Sequence, residues 1–398
     1  MNRFLHILSG LSILVSVTFG LSSCSWMKED VTDCPTGLYV RFTYDYNTAR
    51  ADMFKDHVGY VKLYVYDENG NKVSERSVSN TSAAAPLHQY GYAIHFADGE
   101  LPDGRYRLQA LAMQKDWDEA LATPGAKYRH NDPASGNGLT VALDHEAATV
   151  TGTDIYPVSD EAPLDTLWHT LKVTSSEPQD GITVPALAQT KKPYSVYPLE
   201  EQYVTVQQHR ATYATVSMIR DTKHINITLR QVDDPANIFH EDYEVFITDS
   251  NMALAHDNEP ASDVMLRYTP YQSWTSRFDE DGVEVENGLS RAESADLQRT
   301  AHYNIMCNRL MYRSDISKCA ILKIVNRRTA ATVAEINLPY MLAQGRMAYD
   351  NYAYSSQEYL DREYDYHLNF FLQNGKWAYC DIVINVLGWS KRTQNEEL

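Results

Sequence analysis

The chain is short of positive charge, of cysteine and of long apolar runs, and each shortage removes a class of protein. Lys and Arg number 35 against 53 Asp and Glu, a formal charge of −18 over 398 residues. Such a body has no bulk attraction for nucleic acid or for an anionic membrane face. Gly and Pro stand at 18 and 15, too few for collagen-like or disordered repeats. Beyond Leu21 no apolar run is long enough to span a bilayer. Catalytic signatures are missing as well: there is no GxSxG, Walker A loop, GxGxxG or HExxH. His240-Glu241 lacks the second histidine of a zincin helix. The expectation is a protein that is not an enzyme and takes no cofactor.

Metal ligands are equally scarce. Cys307 and Cys319 stand twelve residues apart without paired histidines, and no CxxC occurs, so no zinc centre is expected. Asp67-Glu68-Asn69-Gly70-Asn71 superficially matches a calcium loop, but Lys72 occupies its glycine position and Val78 its terminal acid position. Asp279-Glu280-Asp281-Gly282, with Glu284 and Glu286, reads as a solvated acidic turn. Carboxylates are so plentiful that no glycosidase-like pair can be singled out. The 28 tyrosines suit half-exposed pleated surfaces and need no ligand to explain them.

What is present begins at the N-terminus. Arg3 precedes an apolar stretch from Phe4 to Leu21, the pattern of a secretory signal; His6, Ser9, Ser12, Ser16 and Thr18 argue against a spanning helix. Leu21-Ser22-Ser23-Cys24 then forms a lipobox, in which small residues precede a cysteine whose thiol can be diacylated. Cleavage there makes Cys24 the first residue, and several acyl chains, at about 0.8 kcal/mol per buried CH₂, give a stable anchor. The cut removes Arg3 and no acid, leaving the mature chain one charge more acidic. Lys28-Glu29-Asp30 follows, and it resembles the surface-export signal of Bacteroidetes lipoproteins. With Cys24 committed to lipid, Cys34, Cys307, Cys319 and Cys380 remain, either as disulfides or as buried free thiols.

The remainder alternates in short strands. Leu38–Tyr46, Val61–Tyr66 and Lys72–Val78 read as strands, the last two joined by the turn at Asp67–Asn71. Gly91–Phe96 and Tyr106–Met113 read as a second β pair. Between Gln114 and Gly138 a long loop is expected, with one helical turn near Trp117–Leu121. Strand patterns resume at Leu139–Leu143, Ala147–Val150 and Asp165–Val173. Pro193–Leu199 reads as a join, after which Tyr203–Val206, Tyr213–Ile219, His224–Arg230 and Tyr243–Thr248 are strands. Asp257–Ala295 reads as acidic and irregular. Hairpins are expected at Cys319–Val325 with Thr332–Leu338 and at Glu363–Leu372 with Lys376–Val386, and a short helix at Gln357–Arg362. Strands at this spacing, without long amphipathic helices, predict an all-β protein of β-sandwich domains. The expected organisation is a signal peptide over 1–23, a lipidated tether over 24–34, and sandwiches over 35–195 and 196–398.

Several segments resemble the anchor-subunit family of Bacteroidales type V fimbriae, the FimB-type and Mfa-type anchor lipoproteins. They are Asp33–Asn47, Val61–Gly70, the Asn308-Arg309-Leu310 neighbourhood, Glu335-Ile336-Asn337-Leu338-Pro339, Gln357–Tyr366, Trp377 and Ile384–Trp389, in order along the chain. The resemblance implies two tandem transthyretin-like β-sandwich domains. It also implies a lipid-tethered base subunit at the outer membrane that holds a fimbrial shaft and limits its length and release. Shaft subunits would be the partners, joined by addition of an extended strand to an open sheet. Two other readings stay open: a shaft or tip subunit, disfavoured by the short tether between Cys24 and Leu38, and a surface glycan-binding lipoprotein.

Overall fold

The computed structural model describes residues 35–145, 155–178, 203–279, 283–285, 297–347, 353–386 and 389–396, with backbone alone from 383 onward. The lipobox, Lys28-Glu29-Asp30, Cys34, Ala147–Val150 and the join at Pro193–Leu199 lie outside the described residues.

Strands dominate, as the alternation predicts. The first run is β1 (Gly37–Thr43), β2 (Tyr60–Tyr66), β3 (Lys72–Ser79), β4 (Ile94–Phe96) and β5 (Gly104–Met113). Next come β6 (Tyr128–His130), β7 (Thr140–Leu143), β8 (Ile155–Pro157), β9 (Leu167–Ser175), β10 (Tyr203–Val206) and β11 (Ala211–Arg220). The later strands are β12 (Lys223–Gln231), β13 (Tyr243–Asp249), β14 (Ala253–Ala255), β15 (Met265–Tyr268), β16 (Gln272–Phe278) and β17 (Gln298–Cys307). The chain closes with β18 (Ile321–Asn326), β19 (Thr332–Asn337), β20 (Asp365–Gln373), β21 (Lys376–Val386) and β22 (Trp389–Glu396). Among the described residues four short α-helices interrupt them: α1 (Phe54–His57), α2 (Trp117–Ala122), α3 (Leu338–Ala343) and α4 (Ser356–Arg362).

An eight-stranded sheet runs β3-β2-β5-β9-β11-β1-β4, with β10 also on β5. A six-stranded sheet runs β16-β17-β12-β20-β21-β22, a five-stranded one β19-β18-β13-β15-β8, and a three-stranded one β14-β7-β6. The eight-stranded sheet draws strands from both sides of the expected join: β10 and β11 follow it in sequence yet pair with β5, β9 and β1. Hydrogen bonding changes sheet at Asp221-Thr222, between β11 and β12.

Alternation sets the two cores. Leu38, Val40 and Phe42 of β1 meet Val61, Leu63 and Val65 of β2 and Leu108, Ala110 and Ala112 of β5 in the first. The opposite face of β2, carrying Tyr60, Tyr64 and Tyr66, joins the second core with Tyr128, Val141 and the inward residues of β12, β17 and β20. Each fully buried Val, Leu or Phe among them contributes about 1.5–3 kcal/mol.

Two expectations are corrected. Gly91–Phe96 does not pair with Tyr106–Met113: β4 lies antiparallel to β1, while β5 is taken by β2 on one edge and by β9 and β10 on the other. A strand has two edges, and both edges of β5 are filled. The stretch Asp257–Ala295 is also less irregular than expected, since it contains β15 and β16. Three of the remaining thiols, Cys307, Cys319 and Cys380, are buried and free.

Candidate functional site

The largest concentration of buried polar groups lies where the eight-stranded sheet meets the later sheets. It is built around α4. Ser355 caps this helix by accepting from the Glu358 backbone N–H at 3.1 Å, a Ser-x-x-Glu start. Glu358, Tyr359, Leu360, Asp361 and Arg362 are all buried, so the charges of α4 need protein partners.

Asp361 finds Arg309, which follows β17. The Arg309 Nε and Nη2 donate to the two Asp361 carboxylate oxygens at 2.8 and 2.9 Å, and both side chains are 0% exposed. This bidentate, charge-assisted pair is fixed in plane. Nη1 donates to the Asn258 carbonyl, and Gln357 adds a hydrogen bond to Asp361 at 3.0 Å. Asn258 in turn donates to Asp221 at 2.7 Å, and the other Asp221 oxygen lies 2.5 Å from His169 Nδ1 on β9. On the next side, Lys223 of β12 is fully buried and donates to the Asp361 and Glu363 carbonyls at 3.0 and 2.9 Å. Burial pushes the Lys223 ammonium down to about 8 and raises the Glu363 carboxyl.

The N-terminal sheet reaches the same joint. Thr48, just beyond β1, donates to Glu363 at 3.0 Å, and Arg50 donates to the Tyr354 hydroxyl at 2.8 Å. Arg362 pairs with Glu358 at 3.0 Å and lies over the Tyr46 ring at 4.0 Å. Three segments that carry the family resemblance therefore converge in space: the end of the first, at Tyr46, Asn308-Arg309-Leu310 and Gln357–Tyr366. A fourth, ending at Pro339, leads into α3, which Asn337 caps by accepting from the Tyr340 N–H at 3.0 Å.

Elsewhere the chemistry is modest. Asp67 spends its carboxylate on Asn71, at 2.8 and 3.1 Å, closing the β2–β3 turn. Among the described residues no group of three His, Cys, Asp or Glu could hold a metal ion. Ser276 Oγ lies 2.6 Å from His302 Nε2, but the other ring nitrogen faces Thr228 at 3.4 Å, not a carboxylate. Burial lowers His302 to about 4. A cleft lined by Val158, Leu164, Tyr268, Tyr271 and Met306 offers only about 10 Å³, room for a water molecule and far below the roughly 300–1,000 Å³ of small-molecule sites. No helix of the described residues is long and apolar enough to cross a membrane.

Sheet edges are the other accessible feature. The eight-stranded sheet ends at β3 and at the three-residue β4. Edge strand β3 is charged: Glu75 binds Lys62 and Lys72 at 2.8 and 2.9 Å, and Arg76 binds Glu100 at 2.9 Å, a guard against unwanted pairing. The six-stranded sheet ends at β16 and at the eight-residue β22.

Together these features define an all-β protein whose buried polar chemistry joins its own sheets. Residues 31–395 match the family described as fimbrillin-A associated anchor proteins Mfa1 and Mfa2, and the chain belongs to that family. Membership associates it with a cell-surface fimbrium and with other fimbrial subunits. Solved structures share the fold. A Bacteroides thetaiotaomicron protein provisionally described as an adhesin is 24% identical, with a TM-score of 0.63 over 90% of this chain and 98% of that one. Another from the same organism, provisionally described as polysaccharide binding, is 23% identical, with a TM-score of 0.61 over 90% and 99%. The fimbrial anchor protein Mfa2 from Porphyromonas gingivalis is 14% identical, with a TM-score of 0.50 over 90% and 100%. No curated protein matches the chain.

Proposed function

We propose that this protein is the lipid-anchored base subunit of a fimbrium, held in the outer membrane by acyl chains on Cys24. The observation that carries the reading is the lipobox Leu21-Ser22-Ser23-Cys24, closing an apolar N-terminal stretch in a chain of the fimbrial anchor family. Lipid on Cys24 would make the attachment, so the acidic body needs no affinity for the membrane surface. Lys28-Glu29-Asp30 would direct the protein to the outer face. The role is one of assembly, without catalysis. The shaft would join by strand addition, and β16, the edge of the six-stranded sheet whose one charged residue is Arg277, is the position proposed for it, because β3 is charged and β4 is short.

Replacing Cys24 with Ala and following the fimbriae tests the anchor. Fibres released into the medium are expected; fibres that stay cell-bound would sink the proposal. Protease treatment of whole cells tests the surface placement, since a protected protein would put it in the periplasm.

A further inference from the structure

We infer that β1 is a mechanical clamp, carrying load from the N-terminal tether into the later sheets by shear along its ladder with β11. The inference rests on the anchor reading in one respect: that reading makes the chain before Gly37 the loaded end.

The geometry lies in one strand pair. β1 and β11 are parallel, in register from Gly37 with Ala211 to Thr43 with Ser217, and the Gly37 N–H donates to the Arg210 carbonyl at 2.9 Å. A pull on the chain before Gly37 enters β1 at its first residue. It leaves β11 at the opposite end, through Asp221-Thr222 into β12. The two forces therefore act in opposite directions along neighbouring strands, and the ladder bonds are stressed together. If both strands were pulled from the same end, the bonds would break one after another. A single backbone hydrogen bond contributes only about 0.5–1.5 kcal/mol net, so simultaneous loading is what raises the barrier. Forced unfolding is governed by that barrier, not by equilibrium stability.

Side chains oppose sliding as well. Leu38 and Val40 are 0% exposed, and Phe42 stacks on Phe54 with ring centroids 5.6 Å apart. Moving β1 by one residue would exchange this buried face for Tyr39, Arg41 and Thr43.

The far end of β1 is pinned. Asp45 accepts from Ser217 of β11 at 3.3 Å, and Asn47 donates to the Tyr44 and Ala51 carbonyls at 2.8 Å each. Tyr46, Thr48 and Arg50 then engage Arg362, Glu363 and Tyr354. Load leaving β1 thus reaches α4, and through Asp361 reaches Arg309, without passing through β2 to β9.

Single-molecule pulling of the chain from residue 25, with Cys34→Ser and an N-terminal handle, tests the clamp. The second handle is attached either at Lys376→Cys, the exposed first residue of β21, or at Gln208→Cys, in the exposed turn before β11. The first geometry shears β1 from β11 and the second peels them apart. Release of β1 is expected to need several-fold more force in the first geometry. Equal forces, or a larger force for the Gln208 attachment, would overturn the inference. The Cys24→Ala result decides the lipid anchor separately, because it leaves this force ratio untouched.

Discussion

Arg309 and Asp361 face each other in one plane, with Nε and Nη2 of the first on the two carboxylate oxygens of the second, and neither side chain reaches solvent. Fifty-two residues separate them in sequence. A buried pair of this kind is costly to form and costlier to break, because the surviving charge keeps its desolvation penalty without its partner.

Arg309→Met or Asp361→Asn alone is therefore expected to destabilise the fold by about 3–5 kcal/mol. The double variant should cost clearly less than the sum of the two single changes. Denaturant unfolding of all four proteins checks this, and strict additivity would mean that the pair is not coupled.

Asp249, at the end of β13, has one carboxylate oxygen buried without a partner, and burial pushes this acid up to about 7. The folded state therefore holds its proton where the unfolded state has lost it. The resulting stability is complete below about pH 4 and is lost as pH rises through 7. Between those limits the contribution is on the order of 4 kcal/mol. Asp249→Asn should remove the dependence, so the variant gains on the wild type as pH rises from about 4 to 7. Parallel unfolding curves across that range would refute the assignment.

Gly37 starts β1 at φ +83°, and a Cβ there would run into the Phe96 carbonyl oxygen. Gly37→Ala is expected to cost about 1–3 kcal/mol, from left-handed backbone strain together with loss of the close β1–β4 approach. Hydrogen exchange should show the loss first at Leu38–Val40, the residues paired with β4.

Cys307, Cys319 and Cys380 are buried and unpaired, and burial raises the thiols of Cys307 and Cys380. All three should resist alkylation at pH 8 in the folded protein and react once it is unfolded. Peptide mapping after labelling distinguishes this from a disulfide, which would block labelling in both states.

Much of the fold was legible because a strand announces itself locally. Leu38, Val40 and Phe42 alternate with Tyr39, Arg41 and Thr43, Asp67 to Asn71 mark a turn, and the short helix before Glu363 follows from Gln357 to Arg362. The reading failed where a partner had to be chosen. β4 and β5 are neighbours in sequence, yet Ile94 and Phe96 are buried through pairing with β1. β16 was hidden by its composition: Gln272, Ser273 and Trp274 are exposed and give no apolar alternation. Of the joint, the sequence showed the segments around Arg309 and Asp361 as shared family features, but not that they touch.

The sequence by itself determined many of the strands and their buried faces, because period-two alternation is a local property of the chain; the Leu21-Ser22-Ser23-Cys24 motif behind the proposed anchor is equally local. Tertiary structure alone decided which strands share a sheet, the parallel seating of β1 on β11, and the meeting of Arg309, Asp361, Lys223 and Glu363. Alternation tells a strand which face to bury but not which edge to join, so pairing waits on the packing of the whole chain. A buried charge likewise has no meaning in sequence, since its desolvation exists only once distant segments close around it.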